Sequence, residues 1–186
     1  MSPKNTERLR GRVKRLEALL DGLLDYSRVR RSDVKITRVN SQQLCEEIGD
    51  YLAMPDGISL HLAEDLPTFS TASKALETVL RNLVGNAVKH HDRETGRIDV
   101  SAQDCGDTYQ FTVRDDGPGI DTAHHERVFQ IFQTLVPRNK MESSGLGLSI
   151  VKRLVIAAGG KIWIESIADQ PGAAFHFTWN KTWFNA

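Results

Sequence analysis

Two runs of strict alternation, Ile98, Val100, Ala102 and then Tyr109, Phe111, Val113, constrain this chain more than any other feature. Apolar residues at every second position describe strands with one face turned to a core and the other to water. The second run ends in Asp115-Asp116-Gly117-Pro118-Gly119-Ile120, and its phase carries Asp115 onto the core-facing side. A carboxylate there needs a donor, and a planar exocyclic amine such as that of adenine is a suitable one. Gly117 and Gly119 permit a sharp turn and a close backbone approach. The plain alternative is a polar turn, since Asp-Gly and Pro-Gly are common turn pairs.

Around these strands the periodicities predict a mixed order of elements. A short strand is expected over Val34 to Val39, followed by a helix capped by Asn40 or Ser41. A strand around Ile58 to Leu62 and a helix from about Thr71 to His91 come next. Asp121 to Ser144 reads as a loop with one short helix around Glu126 to Phe132. Ile150, Val151, Leu154, Val155 and Ala158 share one face of a further helix, stopped by Gly159-Gly160. Strands over Lys161 to Ser166 and Ala173 to Trp179 close the chain. The expected fold class is α/β: a two-layer sandwich, with helices on one face of a mixed sheet.

Ahead of this domain, residues 6 to 30 read as one long helix. Leu9, Val13, Leu16, Leu20 and Leu23 recur at alternating steps of four and three. That is the seam of a coiled coil or helical bundle, which wants a partner helix; packing on its own domain is the alternative. The expected division is a helical segment over 1–33 and a globular domain over 34–186.

Composition removes several classes of function. The 186 residues carry 24 basic and 24 acidic side chains, so no overall basic field favours nucleic acid or an anionic membrane. Leu154 to Ala158 and similar apolar stretches are too short to span a bilayer. The beginning, Met1-Ser2-Pro3-Lys4, is unlike a signal peptide. Cys45 and Cys105 have no Cys or His at ligand spacing; two buried, reduced thiols of a cytoplasmic protein are expected, and a disulfide between them is the alternative.

Two further clusters accompany the Asp115 turn. On the helix ending near His91, Ala75, Val79, Asn82, Asn86 and Lys89 follow at steps of four, three, four and three, so one stripe turns from apolar to polar. An amide oxygen suits Mg²⁺ and an ammonium suits phosphate; a solvated helix end is the alternative. Ser143-Ser144-Gly145-Leu146-Gly147-Leu148 opens the next helix, where N–H groups at the positive end of the dipole could cradle phosphate. An ordinary serine-capped helix start is the alternative there.

In order and spacing these clusters resemble the nucleotide-binding boxes of the GHKL superfamily, which includes DNA gyrase, MutL, Hsp90 and the histidine kinases. Asn82-Leu83-Val84-Gly85-Asn86-Ala87-Val88-Lys89 looks like the N box, and Asp115 to Ile120 like the G1 box. Phe129-Gln130-Ile131-Phe132 looks like the F box, and Gly145-Leu146-Gly147-Leu148 like the G2 box. The resemblance implies the Bergerat ATP-binding fold with ATP and Mg²⁺ as ligands. Asn86 would hold the metal, with Asn82, Lys89 and His90 near the phosphates. Asp115 would receive the adenine amine beside Gly117, Gly119 and Ile120. Ser144, Gly145, Leu146, Gly147 and Leu148 would line the phosphate side. Asp121 to Ser144 would be the mobile ATP lid, rooted by Phe129 and Phe132, with Arg138 and Lys140 able to close on the γ-phosphate. His91, His124 and His125 are expected to be solvated.

Within the superfamily the chain is most similar to sensor histidine kinases. Asn82 stands where the ATPases place a catalytic glutamate, and an amide is no base. Leu23-Leu24-Asp25-Tyr26-Ser27-Arg28 resembles the end of the second helix of a kinase dimerisation hairpin, in the manner of phytochrome-like kinases. The resemblance implies transfer of the ATP γ-phosphate to a histidine outside this chain, a homodimer through the N-terminal helix, and a response regulator as partner. Two departures leave a second reading open, that of a degenerate regulatory module. Ser143 replaces the glycine that usually opens the G2 box, and residues 6 to 30 contain no histidine.

Overall fold

The computed structural model describes residues 35–131, 145–166 and 172–182. The expected N-terminal helix, Val34, Phe132, Arg138, Lys140, Ser143 and Ser144 lie outside the described residues.

The elements follow the order β1 (Ile36–Asn40), α1 (Ser41–Tyr51), β2 (Ile58–Leu62), β3 (Thr68–Ala72), α2 (Ser73–His90), β4 (Gly96–Asp104), β5 (Thr108–Asp115), α3 (Gly147–Ala157), β6 (Ile162–Glu165) and β7 (Ala174–Asn180). Five strands form one mixed sheet in the order β2-β4-β5-β7-β6. The β2–β4 pair is parallel and the other pairs are antiparallel. Ile98, Val100, Phe111, Val113, Phe175, Phe177 and Trp179 are buried, as their alternation requires. The intervening Asp99, Ser101, Thr112 and Arg114 leave the other face of the sheet polar. Helices therefore cover one face, and the α/β sandwich read from the sequence is the fold observed.

The core between the layers is aromatic on the sheet side. Phe111 and Phe177 stack with ring centroids 5.1 Å apart, and Phe177 meets Trp179 edge-on at 6.2 Å. Leu76, Val79, Leu80, Leu83 and Val84 of α2 are fully buried against it. Each such side chain contributes about 1.5–3 kcal/mol by leaving water.

Three expectations are corrected. Thr71 does not start the second helix; it lies in β3, which pairs antiparallel with β1 in a separate two-stranded sheet. β-Branched and aromatic residues in Thr68-Phe69-Ser70-Thr71 favour the strand, and the buried Thr71 hydroxyl accepts the Trp179 indole N–H at 2.8 Å. Two 3₁₀ turns precede Phe132, Thr122–His124 and Arg127–Phe129, and the second stands where a short helix was expected around Glu126 to Phe132. Asp121 caps the first of these turns through Ala123 N–H at 2.8 Å. Cys105 is exposed rather than buried, whereas Cys45 is buried. Burial, and then the Glu46 charge, pushes the Cys45 thiol up to about 12.

Candidate nucleotide-binding site

The helix boundaries place the amide stripe. Asn40 starts α1, its Oδ1 accepting the N–H groups of Gln42 (2.9 Å) and Gln43 (3.2 Å). On α2 the buried positions Leu76, Val79, Leu80, Leu83, Val84 and Ala87 face the sheet. Asn82 and Asn86 are left half-buried at the edge of that face, and Lys89 and His90 are exposed beyond them. Asn82 Nδ2 donates to Thr78 C=O at 2.7 Å, which turns Oδ1 towards α3. A Cβ built on Gly147 would stand 2.7 Å from that Oδ1. Gly147 is therefore a packing requirement of the N box as well as the start of a helix. No described residue donates to or accepts from the Asn86 carboxamide.

At the G2 end, the first helical bond of α3 runs from Ile150 N–H to Leu146 C=O at 3.0 Å, and no side chain caps this end. The N–H groups of Gly147, Leu148 and Ser149 precede that bond and carry the positive end of the dipole. The Leu146 side chain is buried and that of Leu148 packs on the core, so neither side chain is turned to a ligand. Gly145 has φ +66 just before them.

Asp115 ends β5 half-buried, as its phase predicts. Its Oδ1 accepts Gly117 N–H at 2.9 Å and Ala173 N–H at 3.4 Å, while no described residue donates to Oδ2. Burial raises the carboxyl above the ordinary aspartate range, more than the Gly117 and Ala173 N–H groups lower it. Gly117 is buried, and Gly119 and Ile120 are half-buried beside it. Ile120 N–H is held by Ser166 Oγ at 3.2 Å. Gly172 takes φ +102 and presses on the Asp115 carbonyl so closely that a Cβ would overlap it.

The histidines divide differently from expectation. His90 stands at the exposed end of α2; loss of water around the ring, and then the Lys89 charge, lowers its pKa. His91 is not solvated: its side chain is 1% exposed, and Nε2 lies 2.8 Å from Asp116 Oδ1. His125 is half-buried, with Nε2 2.9 Å from the Ile120 carbonyl. Sequence reasoning also passed over Ser166, Gly172 and Ala173, which reach the Asp115 turn from the far end of the chain with no local signal. At the root of the expected lid, Phe129 is buried edge-on to Phe175 at 6.4 Å.

Residues 71–182 match the family of histidine kinase-, DNA gyrase B- and HSP90-like ATPases. The chain belongs to that family. It is 33% identical over 169 residues to cyanobacterial phytochrome A of a Nostoc species, which covers 89% of this chain and 22% of that protein. It thus spans under a quarter of that relative's length. Among solved structures, full-length ShkA in complex with AMPPNP superposes with a TM-score of 0.76 at 28% identity, covering 95% of this chain and 38% of that one. The histidine kinase ThkA, in complex with the response regulator TrrA, gives a TM-score of 0.76 at 26% identity, covering 99% and 52%. The ATP-binding catalytic domain carried here is of the sensor histidine kinase kind. No helix among the described residues is long and apolar enough to cross a membrane.

Proposed function

We propose that this domain binds ATP with Mg²⁺ and passes the γ-phosphate to a histidine outside the chain. The observation that carries the proposal is the half-buried Asp115 carboxylate. Two backbone donors fix its Oδ1, and its Oδ2 has no donor among the described residues. An adenine amine supplies the missing donor, and Gly117, Gly119 and Ile120 take the base beside it. The phosphates then run towards Asn82, Asn86, Lys89 and His90 on one side. On the other side are the N–H groups of Gly145 and Gly147, beside Leu146 and Leu148. Asn86 fits Mg²⁺ because its amide oxygen is a hard ligand and no described residue engages it. The metal would neutralise phosphate charge. Asn82, engaged with Thr78 and packed on Gly147, positions the helix end and cannot deprotonate water.

The wider reading assigns residues 1–33 to a dimerisation helix and 34–186 to the catalytic domain of a cytoplasmic kinase segment, with Ser144, Arg138 and Lys140 in the lid. In the parent protein it would work as a homodimer, with a response regulator as the phosphate's next acceptor. The ThkA–TrrA complex supports such a partner, and the ShkA complex supports the nucleotide. Calorimetry with ATP, with and without Mg²⁺, tests the core of the proposal. A hydrogen bond to a charged group is worth about 1.5–3 kcal/mol, so Asp115→Ala should weaken ATP roughly 10- to 150-fold. Unchanged affinity in the folded variant would remove Asp115 from the site. Absence of ATP binding by the unaltered domain would leave the regulatory module as the better account.

A further inference from the structure

We propose that His91 is a positioning residue for base recognition, acting on Asp115 through Asp116; this rests on the reading of Asp115 as the adenine acceptor. His91 follows the last residue of α2 and takes extended backbone angles, φ −64 and ψ 132, that end the helix. Its imidazole lies against the backbone of Gly96, where a Cβ would overlap Nε2. The glycine at the start of β4 is what makes room for the ring. Nε2 then reaches Asp116 Oδ1 at 2.8 Å, and Nδ1 lies 3.3 Å from Arg93 N and 3.2 Å from its carbonyl.

Asp116 gathers the surrounding chain. The same Oδ1 accepts Arg97 N–H at 2.7 Å, and the Arg93 guanidinium reaches both Oδ2, at 3.3 Å, and the Asp116 carbonyl. Partial loss of water works against its charge. Even so, the bonds from Arg97, His91 and Arg93 hold this carboxyl at about 2, so it is ionised at neutral pH. An ionised Asp116 requires a proton on His91 Nε2, and Nδ1 is then satisfied by Arg93 N–H. Asp116 is covalently joined to Asp115, whose Oδ1 orients the Gly117 turn. The His91 bond thus ties the end of α2, which carries the Asn86 and Lys89 subsite, to the turn that aims Asp115. Without it, Asp116 keeps only exposed or backbone partners, and the Asp115 carboxylate loses its set direction relative to α2.

The test is a double-mutant cycle on the whole chain, read by ATP calorimetry. In the Asp115 background His91→Ala should weaken ATP about tenfold. In Asp115→Ala the same change should have almost no effect, because a positioning residue has nothing left to position. Gly96→Ala, which displaces the ring, should reproduce His91→Ala. His91→Gln, with an amide N–H near the place of Nε2, should restore most of the affinity. Equal weakening in both backgrounds would mean a general structural role and overturn the proposal, as would unchanged affinity in His91→Ala. Failure of Asp115→Ala alone to weaken ATP would instead overturn the reading on which the proposal rests.

Discussion

The two carboxylates of the Asp115-Asp116 pair are driven in opposite directions by their surroundings. Burial raises Asp115, and the bonds from Arg97, His91 and Arg93 hold Asp116 at about 2. For Asp115 the folded pKa exceeds the unfolded one, so its charge costs stability at neutral pH. That cost is relieved as pH falls through the raised value. The nucleotide complex should respond oppositely, because a protonated Asp115 accepts the adenine amine poorly. ATP affinity should therefore begin to fall at a pH above the ordinary aspartate value of about 3.9. Asp115→Asn, which keeps an acceptor oxygen but cannot titrate, should flatten that dependence in calorimetry across pH. At Gly172 backbone geometry is the issue: φ is +102 and a Cβ would overlap the Asp115 carbonyl. Gly172→Ala should cost about 1–3 kcal/mol in denaturant unfolding, and more if the backbone cannot shift. Asp115 was legible because strand phase is local. The solvated His91 expected from the sequence was wrong, because its partners Gly96 and Asp116 meet it only through the sheet.

At the scale of elements, caps and core differ in worth. Asn40 holds two N–H groups at the start of α1, and Asn40→Ala should cost about 1 kcal/mol. Phe177 is fully buried between Phe111 and Trp179, and Phe177→Ala should cost about 3–5 kcal/mol. Chemical denaturation of both variants should preserve that order, and a costlier cap than core would contradict the packing described. The strands β4, β5 and β7 were legible from alternation and α3 from its apolar face. β3 was not, because five residues over Thr68–Ala72 lead straight into α2 with no turn signal between them. Its pairing with β1 and the Trp179–Thr71 bond decide the strand, and both partners are remote in sequence.

For the whole molecule, nucleotide chemistry should be slow without a separate acceptor. All six histidines are among the described residues. His61 and His176 are in strands, His90 ends α2 and His91 follows it, and His124 and His125 sit at the first 3₁₀ turn. None stands on a bundle helix able to face a γ-phosphate in line. Incubation with Mg²⁺-ATP should give no base-stable phosphohistidine, and ATP turnover should stay far below about 1 s⁻¹. Base-stable labelling of this chain would overturn the reading that the accepting histidine lies outside it, and ordinary ATPase turnover would place the domain elsewhere in its superfamily. The sequence by itself determined the sandwich, the order of the boxes and the inward phase of Asp115, because periodicity and glycine punctuation act between near neighbours. Tertiary structure alone decided that Gly147 must clear Asn82, that Ala173 and Gly172 press on Asp115, and that His91 grips Asp116. Each of those contacts joins segments that only the sheet order β2-β4-β5-β7-β6 and the packing of helices upon it bring within hydrogen-bond distance.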